Sequence, residues 1–246
     1  MKNSPQPQNE IAHGRLLAQG DPESTWGWGS PAGKVRAQRR AGLIAEGGAL
    51  GRAKRILEIG CGTGLFTQIF ASLCPGEITA IDISPELLAG AKSRGLAPDR
   101  VRFANVSLDD LIDTSGFDAV VGSSILHHLP LETSLQKMYD LLPPGGRLCF
   151  AEPNMLNPQI ALQKNIPWLK RMMGDSPDET AFVRWSLTKA LKRAGFTNIC
   201  IQPFDWLHPA VPKELVGIVS AAGLLLEAVP AIREFAGSLC VKAVRP

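Results

Sequence analysis

Three glycines at alternate positions, Gly60, Gly62 and Gly64, follow directly on an apolar run, Arg55-Ile-Leu-Glu-Ile59. With no Cβ, the backbone there turns tightly and approaches a ligand closely. A helical pattern starts at once, with Phe66, Ile69, Phe70 and Leu73 at i, i+3, i+4 and i+7. A strand, a glycine turn and a helix N-terminus in that order offer free N–H groups to a carboxylate or phosphate. Asp82 stands near the end of the next apolar run, Thr79-Ala-Ile-Asp82-Ile83-Ser84, where its two oxygens suit both hydroxyls of a ribose. Alone, Asp82 would suit the approach to a helix, because Ser84-Pro85-Glu86 is a helix start. Coupled to the glycine turn, the ribose reading dominates. The dinucleotide fingerprint G-x-G-x-x-G has its third glycine one position later, so the spacing argues against a nicotinamide cofactor.

Acid–base candidates lie beyond two later apolar runs. His127 and His128 follow the run Phe117–Ser123, and Glu152 ends the run from Arg147. A carboxylate in Glu152-Pro-Asn154 either orients a substrate hydroxyl and balances a positive charge, or caps a neighbouring helix. His127 and His128 read either as bases or as packed, hydrogen-bonded core histidines, and His128 leans to the core. His208, in Phe204-Asp-Trp-Leu-His-Pro209, either faces the same cavity or serves a turn. Trp26-Gly-Trp28 precedes a basic helix; its tryptophans form a lid that excludes water or tie that helix to the sheet. Arg36, Arg39 and Arg40 read as a solvated face, with an acidic-substrate site as the lesser alternative.

The elements that must position these groups follow from the alternation of β-rich runs and helical patterns, the signature of βαβ units and a parallel sheet. Strands are expected at Arg55–Ile59, Glu77–Ile83, Val101–Val106, Phe117–Ser123, Arg147–Glu152, Asn198–Phe204 and Ser238–Val244. Leu135, Met138, Tyr139 and Leu142 mark one helix; Leu187, Ala190, Leu191 and Ala194 mark another, closed by Gly195. Residues 153–185 and 207–236 break the alternation. Each lies beyond the end of an expected strand, where open parallel sheets bind ligands.

Glu58-Ile-Gly-Cys-Gly-Thr-Gly64, Asp82, Phe117-Asp-Ala-Val-Val-Gly-Ser-Ser-Ile-Leu-His-His-Leu-Pro130 and Leu141-Leu-Pro-Pro-Gly-Gly-Arg-Leu148 occur in this order. Together they resemble the class I S-adenosylmethionine-dependent methyltransferases, in the subgroup acting mostly on small molecules. The resemblance implies an α/β, Rossmann-like, seven-stranded, mostly parallel sheet with its last strand antiparallel and helices on both faces. It implies that Gly60, Cys61, Gly62 and Gly64 line the methionine end of S-adenosylmethionine. Glu58 would sit behind that turn, near the amino group or sulfonium; Asp82 would hold the ribose, Ile83 would pack on the adenine, and Ser123 would line the pocket. The subgroup often has Gly-Asp-Ala after its third strand, the Asp meeting the adenine amino group. Here Asn105-Val-Ser107-Leu108 stands there, leaving Ser107, helped by Asn105, for that contact.

With 246 residues, 45% hydrophobic and 20% charged, the chain has the size and composition of one α/β domain. It divides into an N-terminal segment and lid (1–53), a cofactor-binding core (54–152) and cap insertions (153–185 and 207–236). A net charge of +3 and the lack of a basic face argue against nucleic acid. Five scattered cysteines suggest neither a disulfide framework nor a metal site. Met1–Glu10 reads as a disordered start without a signal peptide, and the apolar stretch 215–229 is shorter than a membrane span. The expected location is therefore cytoplasmic. The expected activity is methyl transfer to a small or medium-sized apolar or amphipathic acceptor, with oligomeric state and the methylated atom type left open. The alternatives are a non-catalytic S-adenosylmethionine-binding module and a nicotinamide-dependent oxidoreductase. The apolar residues of 215–226 are expected to pack on Ile160, Leu162, Ile166, Trp168, Leu169, Met172 and Met173 as a cap over the acceptor.

Overall fold

The computed structural model describes residues 7–113, 115–172 and 180–246. Three helices, α1 (Pro7–Leu17), α2 (Pro22–Thr25) and α3 (Pro31–Gly47), precede the sheet. The alternation then runs β1 (Arg55–Ile59), α4 (Leu65–Leu73), β2 (Glu77–Asp82), α5 (Pro85–Ser93), β3 (Val101–Asn105), β4 (Ala119–Ser123), α6 (Leu131–Leu141) and β5 (Arg147–Pro153). After it come α7 (Pro158–Asn165), α8 (Pro167–Met172), α9 (Arg184–Arg193), β6 (Thr197–Phe204), α10 (Val216–Ala228), α11 (Pro230–Arg233) and β7 (Ser238–Val244). Residues 7–10, expected to be disordered, open α1 instead; residues 1–6 and Met173 lie outside the described residues.

The seven strands form one sheet in the order β3-β2-β1-β4-β5-β7-β6. β1 pairs in parallel with β2 and β4, whereas β7 runs antiparallel between β5 and β6. That order differs from the 3-2-1-4-5-6 of dinucleotide-binding sheets. All seven expected strands are present, with ends shifted by no more than about two residues.

Strand residues point alternately to opposite faces, so the sheet has two cores. On one face Leu57, Val120, Leu148 and Phe150 meet Leu135 and Met138 of α6 and Leu187 and Leu191 of α9. On the other, Ile56, Ile78, Val121 and Cys149 meet Ala41 and Ile44 of α3, Ile69 and Phe70 of α4, and Leu88 of α5. The β1, β2 and β4 carboxyl ends emerge between these layers, and the site forms there. Phe150 is fully buried, and the space beside Gly122 is so filled that a Cβ on that glycine would lie 2.6 Å from the Phe150 ring. Phe150→Ala should therefore cost about 3–5 kcal/mol in urea unfolding; a loss below about 1 kcal/mol would contradict this packing.

Candidate active site

A cavity of about 1260 Å³ opens at the carboxyl ends of the strands. Its floor is the glycine turn. Gly60, Gly62 and Gly64 have φ of +67°, +52° and +76°, the left-handed region that favours glycine. A Cβ on Gly60 would stand 2.5 Å from the Ile125 side chain, and one on Gly64 would stand 2.9 Å from Ala91 Cβ. Gly60 and Cys61 both donate N–H to the Ile81 carbonyl, at 2.9 and 3.1 Å, which locks the turn to the end of β2. Asp82 completes the lock: its Oδ2 accepts Gly62 N–H and its Oδ1 accepts Ser84 N–H, both at 2.8 Å. Burial raises the Asp82 carboxyl above its ordinary range, against the pull of Ser84, Gly62 and His128. Each oxygen keeps lone-pair capacity for a ligand hydroxyl.

Gly60, Cys61, Gly62, Asp82, Ile83, Ser107 and Ser123 all line the cavity. The Cys61 thiol is buried, which pushes its ionisation far up and leaves it inert. The Ser107 hydroxyl bonds Asp110 Oδ2 at 2.7 Å and accepts Asp110 N–H at 3.1 Å, so it is already engaged locally. Asn105 is not part of the cavity wall; its Nδ2 donates to the Asp82 carbonyl at 2.9 Å and ties β3 to the end of β2. Neither Glu58 nor Gly64 lines the wall. Glu58 is enclosed behind the turn, and its Oε2 has no hydrogen-bond partner among the described residues. Burial pushes its carboxyl up to about 8, with Thr67 pulling the other way and Asp82 adding to the rise.

Glu152 is fully buried and does not line the cavity. Its Oε1 accepts the N–H groups of Ile125 and Leu126, both at 3.0 Å, at the start of a 3₁₀ turn (Leu126–His128). Its Oε2 lies 2.6 Å from His127 Nδ1. Burial alone would raise this carboxyl, but His127 and the two backbone donors outweigh it and hold it below the usual range. The helix-capping alternative for Glu152 is thus what the geometry displays, and the imidazole it orients belongs to the wall. His127 and His128 both line the cavity, with ring centroids 4.2 Å apart. His128 Nδ1 lies 3.0 Å from Glu10 Oε2 of α1, which brings the N-terminal helix over the opening.

Arg40, read from sequence as part of a solvated face, is 2% exposed and reaches into the cavity wall. Its guanidinium donates to the hydroxyls of Ser123 (2.8 Å), Ser124 (3.0 Å) and Ser238 (2.8 Å) and to the Ala151 carbonyl (2.5 Å). No carboxylate bonds it among the described residues, and burial lowers it to about 10. Arg36 pairs with Asp205 and Arg39 with Glu227, so neither is a free cation on that face. The signal for Arg40 was present in the sequence: Ala37, Arg40, Ala41 and Ile44 share one helical face.

Residues 24–30 and parts of both insertions line the other sides. Trp26 lies over the turn, where a Gly62 Cβ would be 3.3 Å from its ring, and Trp28 packs edge-on against Phe66. Glu23 bonds Thr63 and Arg94, clamping α2 to the glycine turn. Trp26 thus covers part of the glycine turn, and Trp28 ties this segment to α4. From the insertions, Pro158, Gln159, Ile160, Gln163 and Lys164 of α7 and the loop 205–210 line the cavity. Gln159 Nε2 and His208 Nε2, 2.9 Å apart, bridge them. Partial burial and Arg36 lower the His208 imidazole. No residue of α10 lines the cavity, so the expected apolar α10 cap over the acceptor is not formed. The helix instead packs through Val216 and Gly223 towards Leu207 and Trp206, because Arg39 anchors Glu227 there. The four histidines of the chain, His13, His127, His128 and His208, all line this one cavity, although no spacing in the sequence joins them.

Residues 56–146 match the family model described as a methyltransferase domain. A ubiquinone biosynthesis O-methyltransferase of Xanthomonas oryzae pv. oryzae is 37% identical over 112 residues, covering 44% of this chain and 46% of that protein. The chain spans about half, or less, of the length of the curated relatives it matches. Among solved structures, the N-methyltransferase NodS of Bradyrhizobium japonicum, in complex with S-adenosyl-L-homocysteine, superposes with a TM-score of 0.62 over 97% of this chain and 99% of that one, at 17% identity. The [4+2]-cyclase SpnF superposes with a TM-score of 0.58 over 85% and 81%, at 22% identity. Residues 56–146 are thus similar to a methyltransferase domain, and the sheet has the Rossmann-like fold of the solved methyltransferase. Among the described residues no helix is long and apolar enough to cross a membrane.

Glu58 gives this site a pH signature. The folded carboxyl keeps its proton up to about pH 8, whereas its ordinary value is 4.5. Between those values the folded state binds more protons than the unfolded one, so this group's contribution to stability falls as pH rises. Glu58→Gln should leave the melting temperature of the ligand-free protein nearly unchanged at pH 5 and raise it by several degrees at pH 8. An equal effect at both pH values would contradict the protonated, enclosed state.

Proposed function

We propose that this chain transfers a methyl group from S-adenosylmethionine to a hydroxyl oxygen of a small or medium-sized, partly apolar organic acceptor. The observation that carries this reading is that one cavity joins the glycine turn and Asp82 to the imidazole of the His127–Glu152 pair. The residues fit the cofactor. Asp82 would take the ribose hydroxyls, the bare backbone of Gly60 and Gly62 would pass beside the methionine portion, and Ile83 with residues 106–109 would enclose the adenine. Arg40, a buried cation hydrogen-bonded to hydroxyls and a carbonyl, would meet the cofactor carboxylate. Bound there, the cofactor supplies a methyl group made electrophilic by its sulfonium.

The chain's own part is alignment and proton handling. Holding reactants in near-attack geometry contributes most of such a rate enhancement, and the lid and α7 would exclude water while this happens. A hydroxyl acceptor benefits from a general base. Glu152 accepts the Nδ1–H of His127, which leaves Nε2 as the basic nitrogen. Glu152 is thus the positioning residue and His127 the base, with His128 holding α1 through Glu10. The match to an O-methyltransferase supports the choice of oxygen. A second reading, a protein that keeps the fold without methylating, is raised by the likeness to a [4+2]-cyclase.

Calorimetry should show S-adenosylhomocysteine binding, with Asp82→Ala weakening it by roughly 2–3 kcal/mol, about 30- to 150-fold. Labelled-methyl uptake across a panel of phenols and aliphatic alcohols should identify an acceptor. His127→Gln should then lower kcat about 100-fold or more at unchanged cofactor affinity. Cofactor binding with no methyl uptake by any acceptor would favour the second reading, and a fully active His127→Gln variant would remove the base from the scheme.

A further inference from the structure

We propose that Trp206 is the end wall of the acceptor part of the cavity and sets the length of acceptor that the chain takes, an inference that rests on the methyl-transfer reading above. A second, smaller pocket of about 70 Å³ lies under α10. Four residues, Arg36, Asp205, Trp206 and Leu207, line both it and the large cavity, so they form the partition between the two. Arg36 is paired with Asp205 and stacked on Trp28, and Leu207 packs with Ala32 and Val216. Trp206 is the large side chain left to divide the two spaces. The end of β6, from which it follows, is separated from the end of β4 by β5 and β7. At about 4.8 Å per strand that is roughly 14 Å. An acceptor with its hydroxyl at His127 and its far end at Trp206 spans this width, and a longer one meets the indole.

The backbone is built to hold that side chain in place. Asp205 has a φ of +78°, unusual for a residue with a Cβ, and four bonds fix it there. Its N–H donates to Glu227 Oε1 at 2.9 Å, and its carbonyl accepts Gly237 N–H at 2.8 Å. Its Oδ1 accepts Leu207 N–H at 3.3 Å, and its Oδ2 accepts Arg36 Nε–H at 2.9 Å. Residues in such conformations persist only where their surroundings over-determine them, and they gather at ligand clamps. From the other side, Gly223 of α10 lets the indole come close: a Cβ there would stand 3.2 Å from Trp206 Cβ and 4.0 Å from its Cδ1. A buried indole N–H ordinarily has a partner. Yet Trp206 Nε1 and Ser220 Oγ both lack one among the described residues, and both residues border the small pocket. Space with unmet polar groups admits water or a ligand oxygen, whereas a dry gap is apolar; at roughly 30 Å³ per water this pocket has room for about two.

Calorimetric titration of 4-alkylphenols, from 4-methylphenol to 4-octylphenol, into the ligand-free protein and its S-adenosylhomocysteine complex tests this. In the wild type, affinity should rise by up to about fourfold per methylene buried and then fall beyond a limiting length. Trp206→Ala should move that limit out by about two carbons, the room the small pocket adds. It should also bind the longest phenol roughly tenfold or more tightly than the wild type does, with S-adenosylhomocysteine affinity unchanged. Adding Gly223→Leu to Trp206→Ala refills the pocket and should return the limit to its wild-type place. Should Trp206→Ala fail to fold, Trp206→Leu keeps an apolar side chain and should move the limit by a smaller step. A limit that stays put in the folded variants, an affinity that climbs to 4-octylphenol without a limit in the wild type, or no binding of any alkylphenol would overturn the proposal. A shifted limit with no labelled-methyl transfer to any bound phenol would keep Trp206 as the wall and remove the methyl-transfer reading alone.

Discussion

The chain leaves β1 through three residues at positive φ, Gly60, Gly62 and Gly64, and arrives in α4 with its backbone against Ile125, Trp26 and Ala91. Side chains at Gly60 and Gly64 would collide with those neighbours, so the turn can be this tight only in glycine. Two hydrogen bonds to the Ile81 carbonyl and one to Asp82 then fix the ends of β1 and β2 to each other. The floor of the cavity, the position of Asp82 and the start of α4 all follow from that one constraint, as does the surface on which α2 rests through Glu23 and Thr63.

A second buried anion organises the opposite wall. Glu152 ends β5 with no route to solvent, and three donors, two backbone and one imidazole, compensate its charge. Removing one partner of such a group leaves an uncompensated buried charge, which costs several kcal/mol. The loop after β4 is therefore held in one shape, and His127 is held in one orientation. Arg40 performs a comparable task between β4, β5 and β7, where it gathers Ser123, Ser124, Ala151 and Ser238. Ser124 keeps a φ of +55° in that grip. Anchors of both signs thus surround a cavity that the N-terminal segment and α7 line from outside.

The sheet was legible because its strands are apolar runs with turn residues between them, and because the glycine turn and Asp82 are local signals. The proposed acid–base pair was harder to read. Glu152 and His127 are 25 residues apart, and which of them faces the cavity depends on β5 lying beside β4. Arg40 illustrates a different loss: its place among Ala37, Ala41 and Ile44 was visible, but three neighbouring arginines suggested a solvated face. Helix α10 misled for a related reason. An apolar sequence reads as buried, yet its orientation is set by one ion pair with Arg39, 188 residues away. Long-range pairing of charges leaves no periodicity in the chain.

The glycine turn, Asp82 and the His127 imidazole line one cavity, which is the proposed cofactor and acceptor site. A crystal structure of the complex with S-adenosylhomocysteine tests that claim most directly. The predicted density places the ribose hydroxyls on Asp82, the carboxylate at Arg40, and the sulfur facing the part of the cavity walled by His127. Density with the adenosyl group away from Asp82, or with His127 turned out of the cavity and Glu152 exposed in its place, would contradict it.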